Sequence, residues 1–503
     1  MLTNCKSVKA NGVDIIPVQI ETSVEPGIGI HLIGLADSQV KESLLRTVTA
    51  LQASGYKIPG KKIVINITPA EIIKKGSGYD LPIALNIIAA SEQQSLPGLE
   101  RTAVIGELGL DGSVRSVAGA LEAVLLAKNT YNIDSVIVPA TDAGYISKLD
   151  IDLDGKKLYG VTKIEEAINV FNGNHPETVI NPKPVKAQKP KDKHIRPEPF
   201  YPTLQRALEI SAAGGHDILL IKGNNSVPSV TIAKTLQELL PPMNKKEQIE
   251  TASIYSQSDK LGLFAENLSR PVRAPHHSAS IAAMAGGGSD VHPGEVSLAH
   301  NGILCIDEAE MLPKSVSEIL AHMLEDKEVK LARLKGITTY PADFLLMASI
   351  KPCPCGNYGL PEEKCTCSTI QRLEYLNKLY GPLYDRMDIQ VYVQDPRSHT
   401  SMDDIDTSKN NVANAREIQM KRNGGKLNSE LRYEELMDAC RPDKECIDMI
   451  EKIITNMGLS ARAYSRMLRI ARTIADLSGL DKIGTTQIAE AASFRFLDRK
   501  LTE

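Results

Sequence analysis

The stretch DILLIKGNNSVPSVTIAKTL, Asp217–Leu236, decides how the chain is read. Its unbroken apolar run Ile218–Ile221 is the pattern of a short strand buried on both faces, and the glycine, asparagines and proline that follow mark a loop. Two more runs of the same kind lie further on, GILCID at Gly302–Asp307 and FLLMASI at Phe344–Ile350. Between them, EILAHMLEDKEVKLARL, Glu318–Leu334, reads as one long helix. Short hydrophobic strands separated by helices predict a parallel sheet with both faces covered.

Working outward, residues 401–503 read as all helical, carried by NNVANAREIQMKR, IDMIEKIITNMG and YSRMLRIARTIADL. Upstream, residues 176–199 are proline-rich and basic, with Lys183, Lys186, Lys189, Lys191, Lys193 and Arg196. Such sequence cannot bury a core and predicts an extended linker. Residues 1–175 alternate strand-like runs (VDIIPVQIETSV, KKIVINIT, DSVIVPA) with helix-like ones (DSQVKESLLRTVTALQASG, LPIALNIIAASEQQ), a separate α/β unit. The expected chain is multidomain α/β: 1–175, linker 176–199, sheet core 200–400 and helical unit 401–503.

With 503 residues, about three domains are expected. Hydrophobic residues at 42 % and charged residues at 24 % exclude a disordered or collagen-like chain. A formal net charge of −4 gives no global attraction to nucleic acid, so any DNA-binding surface is a local patch. The absence of Trp and 4 % aromatics argue against base-stacking platforms. No apolar run is long enough to span a membrane and the start lacks a secretory h-region, which predicts a cytoplasmic protein with no membrane partner. Eight cysteines do not make a disulfide scaffold, but four of them crowd between Cys353 and Cys367.

The stretch RAPHHSASIAAMAGGGSDVHPGEVSLAHNGILCIDEAE (Arg273–Glu310), followed by PCPCGNYG (Pro352–Gly359), GPLYDRMDI (Gly381–Ile389) and SARAYSRMLRIARTIADL (Ser460–Leu477), resembles the magnesium-chelatase-like AAA+ proteins of the YifB/ComM family. Gly34–Leu85 is similar to their N-terminal Lon-protease-like domain of the ribosomal S5 domain 2-like α+β class. The resemblance implies an AAA+ P-loop NTPase-like core, a C-terminal helical lid and a hexameric ring. In such a ring ATP and Mg²⁺ drive DNA branch migration in recombination and transformation.

A phosphate loop needs converging backbone N–H groups, a lysine and a magnesium-binding hydroxyl. Gly223 begins the loop here, but Ser229 stands in the lysine's place and Val230 in that of the hydroxyl. Pro228 has no N–H, and Val227 is β-branched. Phe200, Tyr201, Pro202 and Thr203 replace the Gly-Gln pair of the family's adenine-covering segment, and Lys351 replaces its sensor asparagine. By resemblance, Asp307 takes the Mg²⁺-coordinating place and Glu308 that of the base activating water. Arg386 takes the place of an arginine donated across a subunit boundary, and Arg466 that of the lid arginine sensing the γ-phosphate. The plain alternatives are a strand end for the acidic pair and inter-helix ion pairs for the arginines. Arg462, Arg469 and Arg472 on the same run read as its solvated or interfacial face.

Two function classes remain open from sequence. In one, the chain is a non-hydrolysing homologue that acts by assembly, as a homo-oligomer, as a scaffold on DNA or beside an active paralogue. In the other, it is an ATP-driven motor with a rebuilt loop. The linker lysines, Arg333 and Lys335 are the candidate phosphate contacts to DNA.

Cys353, Cys355, Cys365 and Cys367 form two C-x-C pairs that suit a Cys₄ zinc site; reduced cysteines in a family-typical loop are the alternative. His276, His277, His292 and His300 show no ligand spacing and read as hydrogen-bonded side chains. Gly286, Gly287 and Gly288 read as a flexible loop or hinge. In the Lon-like segment Gly78 falls at the nucleophile, with Ser77 one residue early, and Leu121 falls at the lysine, so proteolysis is not expected.

Overall fold

The computed structural model describes residues 2–34, 38–71, 74, 76–174, 202–224, 226–288, 291–333, 336–359, 365–379, 383–393, 405–457 and 461–495. The linker 176–199, Phe200, Tyr201 and Lys335 lie outside the described residues, as do the side chains of Arg333 and Arg462.

The first unit carries β1 (Leu2–Asn11), β2 (Asp14–Glu25), β3 (Gly29–Ile33), β4 (Lys62–Thr68), β5 (Thr102–Val104), β6 (Glu107–Leu108), β7 (Val114–Arg115), β8 (Ser135–Pro139) and β9 (Lys157–Val161). Seven of these form a mixed sheet in the order β3-β4-β2-β1-β5-β8-β9, and β6 and β7 pair separately. β2 and β4 alternate buried and half-buried residues, as expected of strands with one face on a core. The helix Asp80–Ala90, buried along its whole length, covers that face.

The remaining strands are β10 (Ile218–Lys222), β11 (Val272–Arg273), β12 (Gly286–Gly287), β13 (His292–Pro293), β14 (Ile303–Ile306), β15 (Glu328–Arg333), β16 (Gly336–Pro341), β17 (Leu345–Ile350) and β18 (Ile389–Val393). Five build an all-parallel sheet in the order β11-β14-β17-β10-β18. The apolar runs read from sequence are its three central strands. One reading needs correction: Glu318–Leu334 is not one helix. The helix Lys314–Asp326 stops where Lys327 enters the left-handed region at φ 53°, and β15 then pairs with β16. Val329 and Leu331, two residues apart, bury one face of that hairpin, the spacing of a strand and not of a helix.

Gly286, read as part of a hinge, sits in the two-residue β12–β13 ladder at φ 95°, and a Cβ there would lie 2.4 Å from the His292 carbonyl oxygen. Only glycine fits that approach.

After β18 the described elements are helical: Ile405–Arg422, Tyr433–Cys440, Lys444–Met457, Ala461–Leu477 and Thr485–Ser493. They are not a free appendage. Val412, Leu436, Ile450, Leu468 and Ile474 join Ile218, Leu220, Ile389 and Val391 of the parallel sheet in one buried cluster. The first unit also shares a core with the second, where Val8, Leu121, Val124 and Val136 pack with Met243, Ile254, Tyr255 and Phe264. Among the described residues no helix is long and apolar enough to cross a membrane.

Candidate functional site

Because β10, β17 and β14 are neighbours and parallel, their C-terminal ends reach one edge of the sheet. Ligands of open α/β sheets bind at that edge. Here it brings together Lys222, the last residue of β10, Ser349 of β17 and Asp307, which directly follows β14. The Lys222 ammonium lies 3.3 Å from Asp307 Oδ1 and donates to Ser229 Oγ at 2.8 Å. Ser229, the first residue of the helix Ser229–Leu239, donates its hydroxyl to the same Asp307 Oδ1 at 2.7 Å. Ser349 Oγ is a third donor to that oxygen. Burial pushes the Asp307 carboxyl up, but the Ser349 and Ser229 hydroxyls and the Lys222 charge outweigh it and hold the group below the usual carboxylate range.

Glu308 adopts φ 51° and is met from two sides: Lys351 Nζ forms an ion pair at 3.1 Å from Oε1, and His277 Nδ1 lies 3.5 Å from Oε2. Its backbone N–H donates to Ser349 Oγ at 3.3 Å.

The loop before Ser229 is tied into the protein. Ser226 N–H donates to the Gly223 carbonyl at 3.3 Å, and Val227 is buried in the core shared by sheet and helices. Asn224 Nδ2 donates to the Cys355 carbonyl at 2.9 Å. Pro228 caps the helix from the position before Ser229 at φ −56°, a value proline holds without strain. Val230 is 40 % exposed on the first helical turn.

Asp307, Glu308, Ser229 and Lys351 are thus joined by direct contacts, with Gly223 at the start of the adjoining loop. The two arginines are engaged otherwise. Arg386 pairs with Glu325 at 2.5 Å within the same chain. Arg466 lies 3.7 Å from Asp388, whose carboxylate also meets His216 Nδ1 at 3.1 Å. Arg472 corrects the reading of a solvated or interfacial face: it is fully buried, paired with Asp476 at 2.9 Å and donating to the carbonyls of Ala439, Leu480 and Asp481. Its position on the helix Ala461–Leu477 faces the bundle core, where a buried carboxylate and free carbonyls satisfy the guanidinium.

Four contributors escaped the sequence reading: Lys222, Ser349, Asn224 and the His277 contact to Glu308. The one signal for Lys222 was its place, a cation closing an apolar strand at a sheet's C-terminal edge.

The Sγ atoms of Cys353, Cys355, Cys365 and Cys367 all lie within 4.8 Å of one another. None of the four histidines joins a metal-type cluster among the described residues. Instead His276 contacts Ser278 Oγ at 2.7 Å, and His300 Nδ1 accepts from the Asp343 N–H at 3.1 Å. In the first unit, Ser77 donates to Glu107, and Leu121 is fully buried.

Known proteins resemble the chain along its whole length. Residues 202–401 match the family described as magnesium chelatase, subunit ChlI; residues 20–142 match subunit ChlI of Mg-chelatase; and residues 404–495 match the ChlI C-terminal family. The chain is 35 % identical to the uncharacterized protein YifB of Escherichia coli K12 over 500 residues, 98 % of this chain and 96 % of that one. It is 35 % identical to the competence protein ComM of Haemophilus influenzae over 513 residues, 97 % and 96 % of the two chains. An uncharacterized protein of Mycobacterium tuberculosis H37Rv is 34 % identical over 508 residues, 97 % of each chain.

Proposed function

Since the chain belongs to the YifB/ComM family of magnesium-chelatase-like proteins, we propose that it is a member working by assembly and DNA association rather than by ATP hydrolysis. The observation that carries this reading is the Lys222–Asp307–Ser229 contact. A magnesium ion would be held by Asp307 and a hydroxyl, with a lysine on the phosphates. Here an ammonium of the chain itself meets Asp307 Oδ1 together with two serine hydroxyls. Pro228 supplies no N–H, and Val227 fills the core. These residues do not fit a magnesium nucleotide.

On this reading residues 1–175 are a Lon-like domain without its dyad, 200–400 the AAA+ core and 401–503 the helical lid. Arg386 and Arg466 serve contacts within or between subunits of a ring, built from this chain alone or with an active paralogue. The process would be the DNA recombination or competence role that the family resemblance and the name of the Haemophilus relative suggest.

Isothermal titration of the full chain with ATP and Mg²⁺ tests the first half. A working P-loop binds in the micromolar range, about −8 kcal/mol. The expected result is binding no tighter than about millimolar, a loss of about 4 kcal/mol. Micromolar binding with turnover would overturn this reading and establish a motor with a rebuilt loop.

Titration with forked and single-stranded DNA tests the second half. Phosphate contacts without sequence readout should weaken about tenfold or more between roughly 50 and 200 mM salt. Replacing Lys183, Lys186, Lys189, Lys191 and Lys193 by Gln should flatten that slope. No binding at low salt removes DNA from the partners.

A further inference from the structure

The geometry points to a structural zinc ion held by the Sγ atoms of Cys353, Cys355, Cys365 and Cys367, which fastens the loop Gly223–Pro228 to the end of β17 through Asn224. This goes beyond the functional reading above and stands whether or not nucleotide binds.

The sulfur arrangement carries the first part. Zinc–sulfur bonds of about 2.3 Å at the tetrahedral angle place neighbouring sulfurs about 3.8 Å apart. The separations here are 3.7 Å between Cys353 and Cys365, 3.6 Å between Cys355 and Cys365, and 3.3 Å between Cys353 and Cys355. Cys367 lies within 4.8 Å of all three. Separations of this size are those of sulfurs that share one ion, and the C-x-C spacing does not prevent them.

The surroundings suit a centre of four thiolates and one Zn²⁺, which carries two net negative charges once the four protons have left to solvent. The backbone N–H groups of Asn357 and Tyr358 lie near the Cys353 sulfur, and those of Asn357 and Thr366 near the Cys355 sulfur. Such outer donors orient and stabilise metal-bound thiolates. The Arg372 guanidinium lies 4.4 Å from the ring centre of Tyr358, which adds a cation nearby.

The link to the loop is direct. Asn224 Nδ2 donates to the Cys355 carbonyl at 2.9 Å and reaches Asn357 Oδ1 at 3.4 Å. Between those two acceptors stands Gly356 at φ 82°, where a Cβ would come within 2.6 Å of Asn224 Oδ1. The turn is closed by Gly356 N–H donating to the Cys353 carbonyl at 2.9 Å. Both acceptors for Asn224 therefore belong to the segment that the metal would fix.

The test uses the full chain purified from zinc-containing medium without chelator. Elemental analysis should give about one zinc per chain. Cobalt substitution should give thiolate-to-metal charge-transfer bands and tetrahedral d–d bands. Cys365→Ser/Cys367→Ser, whose two thiols are only half-buried, should lose the metal while keeping its circular dichroism. Amide exchange in the loop 223–228 should then quicken about tenfold or more. Asn224→Ala should keep full zinc and still show the faster loop exchange, which separates a clamp from general misfolding. The site is overturned by native protein with negligible zinc and four freely titrating thiols, by a disulfide between these cysteines, or by zinc content unchanged in the double variant. Zinc that binds but leaves loop exchange unchanged on removal overturns the clamp.

Discussion

Asp476→Ala is expected to destabilise the helical part of the chain by about 3–5 kcal/mol, because it removes one partner of a buried ion pair and leaves the other. Asp476 accepts from Arg422 at 2.5 and 2.9 Å, from Arg472 Nε at 3.2 Å and from Asn428 Nδ2 at 2.8 Å. Both Asp476 and Arg472 have side chains with 0 % exposure. Burial already pulls the Arg472 guanidinium below its usual range, and the Asp476 charge opposes that pull. Without Asp476, Arg472 keeps only its carbonyl acceptors in a medium where an uncompensated charge is expensive. Asn428 also donates to Thr473, which in turn meets His216 next to the parallel sheet, so the loss reaches the junction of bundle and sheet. Urea unfolding followed by limited proteolysis should show Ile405–Ser493 opening at lower denaturant than in the wild type. A shift under about 1 kcal/mol would mean that the carbonyls of Ala439, Leu480 and Asp481 suffice for Arg472. The double variant Asp476→Leu/Arg472→Met should recover much of the loss, since a well-packed apolar pair can replace a buried ionic one.

Arg472 shows why parts of this molecule were legible in sequence and others were not. The strands Ile218–Lys222, Ile303–Ile306 and Leu345–Ile350 announced themselves because a strand buried on both faces is apolar at every position. Asp307 and Glu308 were singled out through the family resemblance, since by themselves they read only as the end of such a strand. Lys222 was not, since nothing in its local sequence says that two neighbouring strands will end beside it; only the register of β10 against β17 and of β17 against β14 does so. The hairpin Glu328–Pro341 was hidden for the opposite reason: Leu331, seven residues after Leu324, continues the apolar spacing of the preceding helix, and the left-handed residue that breaks it is a lysine rather than a glycine. Arg472 looked solvated because arginines on a helix usually are, and its partner Asp476 lies one turn on, at a spacing shared with ordinary surface pairs. The cysteine spacing indicated a cluster, but the meeting of the sulfurs depends on the fold bringing Cys365 to 3.7 Å from Cys353 and 3.6 Å from Cys355.

The junction of the first unit with the parallel-sheet unit rests on another buried carboxyl group, and its removal should have the next largest effect. Glu122, with no exposed surface, accepts from Ser253 Oγ at 2.7 Å, Ser256 Oγ at 2.8 Å and Gln257 Nε2 at 3.2 Å, all on or just after the helix Lys245–Ser256. Gln257 continues the contact by exchanging hydrogen bonds with the backbone of Gly12 at 3.1 and 2.8 Å. Glu122→Ala leaves the two serine hydroxyls without this acceptor and should cost about 2–4 kcal/mol, read as a fall in the urea midpoint. Burial raises the Glu122 carboxyl above its ordinary value of 4.5, more than the donated hydrogen bonds lower it. A group raised on folding binds a proton more tightly in the folded chain, so its contribution is full below the ordinary glutamate range and is lost as pH climbs from there through the raised value. Glu122→Gln carries no such proton and keeps the shape of the side chain. The difference in unfolding midpoint between Glu122→Gln and wild type should therefore move in favour of the amide as pH rises from about 4.5 towards 8. A difference that stays constant across that range would mean that the three donors hold Glu122 as an ordinary carboxylate, and that the junction is insensitive to its charge.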